Sequence, residues 1–319
     1  MRLRRSVLID SGRGQYFHVT SRVVDKRFIF GDKEKNAFLG MMRQYENFTG
    51  VQILSYCLMS NHFHMLVYVP VKPESIPEEE VLRRMKHLYS KDQMEQFKEQ
   101  LKELESDAGT RLKEDFLDGF RVRMYHLSHF VRELKLRFSK YYNAANEREG
   151  TLWETRFKCS LIEGHSNALM NTAAYIELNP VRAGIVDDPA HYRWCSYTEA
   201  LSGNKAARTG LVTLASGENL PLKYSEAIKR YRDFFVYRST TQSSRRRGMD
   251  SDSGRDLTVA ESTEVKIRYF LDGVVLGSRE FIEDWYNRNI ENLNKSRKRI
   301  SSQVKADHMD DMHTYRNVS

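Results

Sequence analysis

The stretch "VQILSYCLMSNHFHMLVYV", Val51 to Val69, decides the fold. It holds two runs of β-forming residues, Val51–Met59 and His62–Val69, with only Ser60 and Asn61 between them, which is the spacing of a tight hairpin. Side chains on a strand alternate between faces. His62, His64, Leu66 and Tyr68 therefore share one face, while Phe63, Met65, Val67 and Val69 make the other, wholly apolar and fit for a core. Two imidazoles two residues apart on one side of a strand are placed to hold one cation. A pair of solvated histidines on a half-exposed strand has the same spacing, so a third ligand is needed to decide between the two.

Upstream, "YFHVTSR" (Tyr16–Arg22) reads as a strand, and Asp32–Gly50 as a helix capped by Asp32, carrying Phe38, Met41, Met42 and Tyr45 at helical spacing and stopped by Gly50. Downstream, Pro70, Pro73 and Pro77 end the hairpin, and "IPEEEVLRRMKHLYS" opens a helix with acids in its first turn, as the helix dipole favours. Residues 91–119 are charged, with Met94, Phe97, Leu101 and Leu104 in one helical stripe, and read as a solvated helical insertion. Met124–Gly150 is a further helix, Thr151–Glu163 a strand, and Ser166–Pro180 a helix capped by Ser166 and halted near Pro180. The order strand, helix, strand, strand, helix, strand, helix predicts a ferredoxin-like α+β fold with an antiparallel sheet.

The expected organisation is a main domain over 1–200 and a helical extension over 201–237. A disordered Ser/Thr/Arg-rich linker over 238–263 and a small basic C-terminal module or helix pair over 264–319 complete it. Of the 319 residues, 40% are hydrophobic and 29% charged, the profile of a soluble chain with a sizeable core. No apolar run approaches the ~18 residues of a membrane span, and Val7-Leu8-Ile9 is too short for a signal-peptide core. Cys57, Cys159 and Cys195 form neither a disulfide framework nor a Cys-x-x-Cys metal signature, which suits a reducing cytoplasm. The net charge of +8 and pI of about 9.2 suit a polyanionic partner such as nucleic acid.

On the helix after the last strand, Tyr175 and Asn179 are four residues apart and expected on one face. The carbonyl oxygen of Asn179 suits a hard cation such as Mg²⁺ or Mn²⁺, and the phenol of Tyr175 is a potential nucleophile toward phosphorus. If this helix covers the histidine face, His62, His64 and Asn179 would surround one metal with Tyr175 beside it.

These segments resemble a known family. "NHFHMLV" is similar to the His-hydrophobic-His motif of HUH nucleases, and "AAYIELNPVRAG" resembles the nucleophile helix of REP-associated tyrosine transposases, relatives of the single-tyrosine transposases of insertion sequences. "GTLWETRFK" (Gly150–Lys158) and "YFHVTSR" resemble further family segments, so the likeness spans roughly residues 15–197. It implies Tyr175 as nucleophile, His62 and His64 as metal ligands, and Asn179 where relatives place an amide ligand. It also implies single-stranded hairpin DNA as partner, cut and rejoined through a 5′-phosphotyrosine. Monomer and homodimer both fit.

Other residues have competing readings. Tyr141 and Tyr142 could attack phosphorus or simply pack, His18 could approach the site or be structural, and Glu177 would become a ligand only if the helix end distorts. Trp153 and Trp194 suit the core. Arg22, Arg156, Lys158 and Arg182 are candidates for phosphate contacts, or plain solvated charges. A DNA- or RNA-binding protein without chemistry is the rival function. A water-activating metal hydrolase is disfavoured, for the chain has no His-Glu-x-x-His or paired-acid motif.

Overall fold

The computed structural model describes residues 12–104, 110–217, 221–234, 274–292, 302–303 and 312–315. The first strand, β1 (Gln15–Arg22), leads into helix α1 (Asp32–Thr49), and the hairpin β2 (Gln52–Leu58) and β3 (His62–Val69) follows. Its turn closes with Met59 N–H donating to His62 O at 2.9 Å. The next helices are α2 (Glu78–Met85), α3 (Lys91–Glu103), α4 (Thr110–Arg121) and α5 (Leu127–Ala145). Strand β4 (Lys158–Ile162) then precedes α6 (Ser166–Glu177), α7 (Asn179–Arg182), α8 (Ser196–Leu201) and α9 (Lys205–Ser216).

The first four strands lie in the order β2-β3-β1-β4, all antiparallel. β1 and β2 are therefore parallel to each other with β3 inserted between them, the split β-α-β arrangement of the ferredoxin-like fold. Register fixes the faces. Phe17 opposes Val67, Val19 opposes Met65, and Leu58 opposes Phe63. This face is covered by α1 through Phe38 and Met42 and by α5 through Phe130, Leu134 and Phe138, and Trp153 closes the aromatic cluster. Trp194 is only partly buried and lies at the edge of both cores, with the Lys35 ammonium 4.0 Å from its ring.

The opposite face carries His18, His64, Leu66, Cys57 and Ser55. α6 and α9 cover it with Leu169, Ala173, Ile176, Leu211 and Leu214. α9 packs so closely that a Cβ on Gly210 would sit 2.7 Å from Leu54 O and 2.9 Å from Leu54 Cα. Backbone cannot give way as a side chain can, so Gly210→Val should lower unfolding free energy by about 3 kcal/mol, measured by denaturant titration. An unchanged midpoint would mean that α9 does not press on β2.

Several boundaries differ from the sequence reading. Gly31, not Asp32, caps α1, and His165, not Ser166, caps α6. The expected strand Thr151–Glu163 is regular only over Lys158–Ile162; before it the chain is tied by single contacts such as the Val23–Trp153 bridge. The 91–119 stretch forms α3 and α4, joined through the Tyr89, Phe97, Phe116 and Phe120 rings.

The segment expected as a linker, 238–263, lies outside the described residues. Where a C-terminal module or helix pair was expected, the described residues form one helix, Arg279–Asn289, and three short strands, β5 (Val275–Gly277), β6 (Ser302–Gln303) and β7 (His313–Tyr315). These continue the same sheet, since β5 pairs parallel to β4 and antiparallel to β7. Glu163 anchors the junction by accepting from Ser278 N at 2.6 Å and Ser278 Oγ at 2.8 Å.

Candidate active site

α6 does cover the histidine face of β3. The Tyr175 ring lies 5.7 Å from the His64 ring, edge on, and 5.8 Å from that of His18. His62 and His64 are 5.1 Å apart, nearly perpendicular. Imidazoles and phenol thus meet at one end of the sheet.

His18 is the residue whose part the sequence left open. It is 1% exposed, its ring is stacked on His64 at 5.2 Å, and its Nε2 lies 3.0 Å from His64 Nδ1. Its place on the Tyr16/Thr20 face was readable; its partner was not, because that depends on how β1 and β3 align. One consequence is orientation: with Nδ1 of His64 engaged by His18, Nε2 of His64 is the nitrogen left for a ligand. His62 is held alike, Nδ1 lying 2.7 Å from Asn61 Oδ1. Burial, reinforced by the charge of Arg22, pushes the His62 pKa down to about 4, and burial with the neighbouring His62 and His18 pushes that of His64 well down too. Both imidazoles are therefore neutral at physiological pH, the form that binds metal.

Asn179 does not continue α6. The helix ends at Glu177, because Pro180 has no N–H to return to Ile176 O. The side-chain amide of Asn179 fills that gap, donating to Ile176 O and to Tyr175 O, each at 3.0 Å. Its nitrogen is thus committed to the helix end, and its carbonyl oxygen is the group that would serve a cation. Glu177 is not directed to the histidines. It is 1% exposed in the core beneath α6, where it accepts from Ser55 Oγ at 3.0 Å and from Ser196 Oγ.

Burial pushes the Glu177 carboxyl up to about 8, against the opposing hydrogen bonds. The folded state thus holds this proton while the unfolded chain loses it at ordinary carboxylate pH. Stability from this group falls as pH rises from about 4.5 toward 8. Glu177→Gln should abolish that fall, so its melting-temperature advantage over wild type should grow between pH 5 and pH 8. Parallel profiles would show that Glu177 ionises freely.

Tyr175 is 7% exposed. Burial raises its pKa, while the charges of Arg182 and Arg22 pull it back. The Arg182 guanidinium lies 4.6 Å from the phenol ring and donates to Tyr175 O. Arg182 therefore acts on the tyrosine as well as offering charge to the site. Arg22 is half-buried at the end of β1 opposite His62, and Arg156 and Lys158 are exposed on the neighbouring segment. Tyr141 and Tyr142 pack near Phe138 in the other core, away from the histidines.

Among the described residues no three His, Cys, Asp or Glu side chains are grouped to hold a metal. The donor chemistry of the two neutral, oriented imidazoles nevertheless fits a divalent ion held in part, with the remaining positions falling to oxygen donors.

Residues 13–109, which hold β1 to β3 with both candidate metal histidines, match the family model described as "Transposase IS200 like". The match covers less than half of the chain, and Tyr175 lies beyond it. A solved structure, described as that of the REP-associated tyrosine transposase bound to a REP hairpin, is similar with a TM-score of 0.35 and 11% identity, over 60% of this chain and 81% of that one. No curated protein matches. No helix among the described residues is long and apolar enough to cross a membrane.

Proposed function

We propose that this chain is a transposase of the single-tyrosine type, cutting and rejoining single-stranded DNA beside hairpins. The observation that carries the reading is the approach of the Tyr175 ring to within 5.7 Å of His64, across two elements remote in sequence. The oxygen of Tyr175 attacks the scissile phosphorus in line and loses its proton to solvent. The P–O3′ bond breaks, the departing 3′ oxygen takes up a proton, and a 5′-phosphotyrosine remains. Attack by a second 3′ hydroxyl reverses the step, so strands rejoin without a nucleotide cofactor.

His62 and His64, with the Asn179 oxygen, would hold Mg²⁺ or Mn²⁺; such an ion neutralises phosphate charge and orients the scissile group. His18 and Asn61 hold the two imidazoles in place. Burial raises the Tyr175 pKa, and Arg182 and Arg22 oppose that rise by favouring the phenolate, which eases both attack and departure on return. Arg22, Arg156, Lys158 and Arg182 supply positive charge for the DNA backbone.

The test is incubation with a 3′-labelled hairpin oligonucleotide carrying single-stranded flanks and Mg²⁺ or Mn²⁺, because the 5′-phosphotyrosine retains the fragment that bears the 3′ end. A label shifted to protein mass on a denaturing gel is expected. Binding of DNA without any covalent product under either metal would favour a repressor-like protein instead.

A further inference from the structure

Phe28 is 83% exposed, more than any other large hydrophobic residue described. A lone exposed apolar side chain is ordinary; its frame is what sets this one apart. The loop between β1 and α1 passes through left-handed backbone at Asp25 and Lys26, φ 55° and 54°, which non-glycine residues adopt only where surroundings hold them. It is held at both ends. Asn61 Nδ2 donates to Lys26 O at 2.9 Å, and Phe30 N donates to Ser60 O at 3.0 Å. Ile29 and Phe30 are buried in the main core directly after Phe28. Phe28 is thus an aromatic ring displayed on a fixed backbone.

Its neighbours are of two kinds. Lys26 and Arg27 are exposed beside it, and the adjoining segment, tied on by Val24 N donating to Leu152 O at 3.0 Å, carries exposed Arg156 and Lys158. On the inner side, the Asn61 that grips Lys26 O also lies 2.7 Å from Nδ1 of His62. One asparagine therefore couples the Phe28 loop to a candidate metal ligand. Exposed Asp25 and Glu154 lie in the same two segments, so the four cations outnumber the acids by two to one. A flat apolar face in that setting matches a polyanion with exposed rings, which is single-stranded nucleic acid; paired bases bury those faces.

We propose that Phe28 is a stacking platform for an unpaired base close to the phosphate bound at His62 and His64, and selects unpaired over paired DNA there. This rests on the reading of the chain as acting on single-stranded DNA. The test compares wild type, Phe28→Ala and Phe28→Trp by fluorescence anisotropy at one salt concentration. The probes are a hairpin with single-stranded flanks and the same hairpin with blunt ends. Phe28→Ala should weaken binding of the flanked hairpin about tenfold or more and leave the blunt one unchanged. Phe28→Trp should keep the flanked affinity, with its added emission quenched on binding.

Equal affinity of wild type and Phe28→Ala for the flanked probe overturns the proposal while leaving the wider function standing, as does equal loss on both probes. Wild type that binds neither probe overturns both.

Discussion

Tyr175→Phe should abolish covalent capture and strand cleavage, by about 10⁴-fold or more, while hairpin affinity stays near that of wild type. The substitution removes one oxygen and keeps the ring. The edge-on contacts with His18 and His64 and the guanidinium of Arg182 over the ring do not need the hydroxyl, so the site should keep its shape. The two tyrosines that the sequence offered as alternatives lie on the other side of the sheet. Tyr141 and Tyr142 pack near Phe138 in the opposite core, with centroids 6.0 and 6.3 Å from its ring, and the sheet separates them from the histidines. The measurement is the labelled-hairpin gel together with mass spectrometry of the nucleotide-bearing peptide. A persistent adduct in the variant, or a wild-type adduct mapped to another tyrosine, would refute the assignment.

What sequence could and could not reveal follows from the range of each interaction. The hairpin and its two faces were readable because period two and the Ser60–Asn61 turn are local. The covering of the histidine face was readable only conditionally, as a helix with an apolar side and a tyrosine. His18 escaped assignment because its contact is diagonal: β1–β3 register places it opposite Leu66, and only the assembled sheet brings it to His64. The end of α6 is a local effect of Pro180, yet the answer to it, the Asn179 amide bonding Ile176 O, is a choice among rotamers that spacing does not encode. The return of the C-terminal residues to β4 depends on a parallel pairing, which leaves no turn signal in the sequence.

Loss of the imidazoles should separate metal capture from folding, provided the two histidines are treated differently. His62 is partly buried at the strand end and bonded to Asn61, so His62→Ala removes a donor at little cost to the core. His64 is buried and faces His18 at 3.0 Å, so an alanine there would leave a void and an unpartnered His18 nitrogen. His64→Asn keeps a polar partner while altering the ligand. In calorimetric titration with Mn²⁺, His62→Ala and His64→Asn should each weaken binding at least about tenfold, the effect expected when one donor of a small set is lost. Metal-dependent cleavage should disappear in the double variant, with the melting temperature of His62→Ala close to wild type. His18→Ala should fall between, since it loosens His64 without removing a ligand. Its Mn²⁺ affinity should drop while cleavage recovers at higher metal concentration, which a direct ligand or a purely structural residue would not show. Wild-type cleavage that survives excess chelator, or Mn²⁺ binding unaltered in the double variant, would place the ion elsewhere and leave the imidazoles a structural pair.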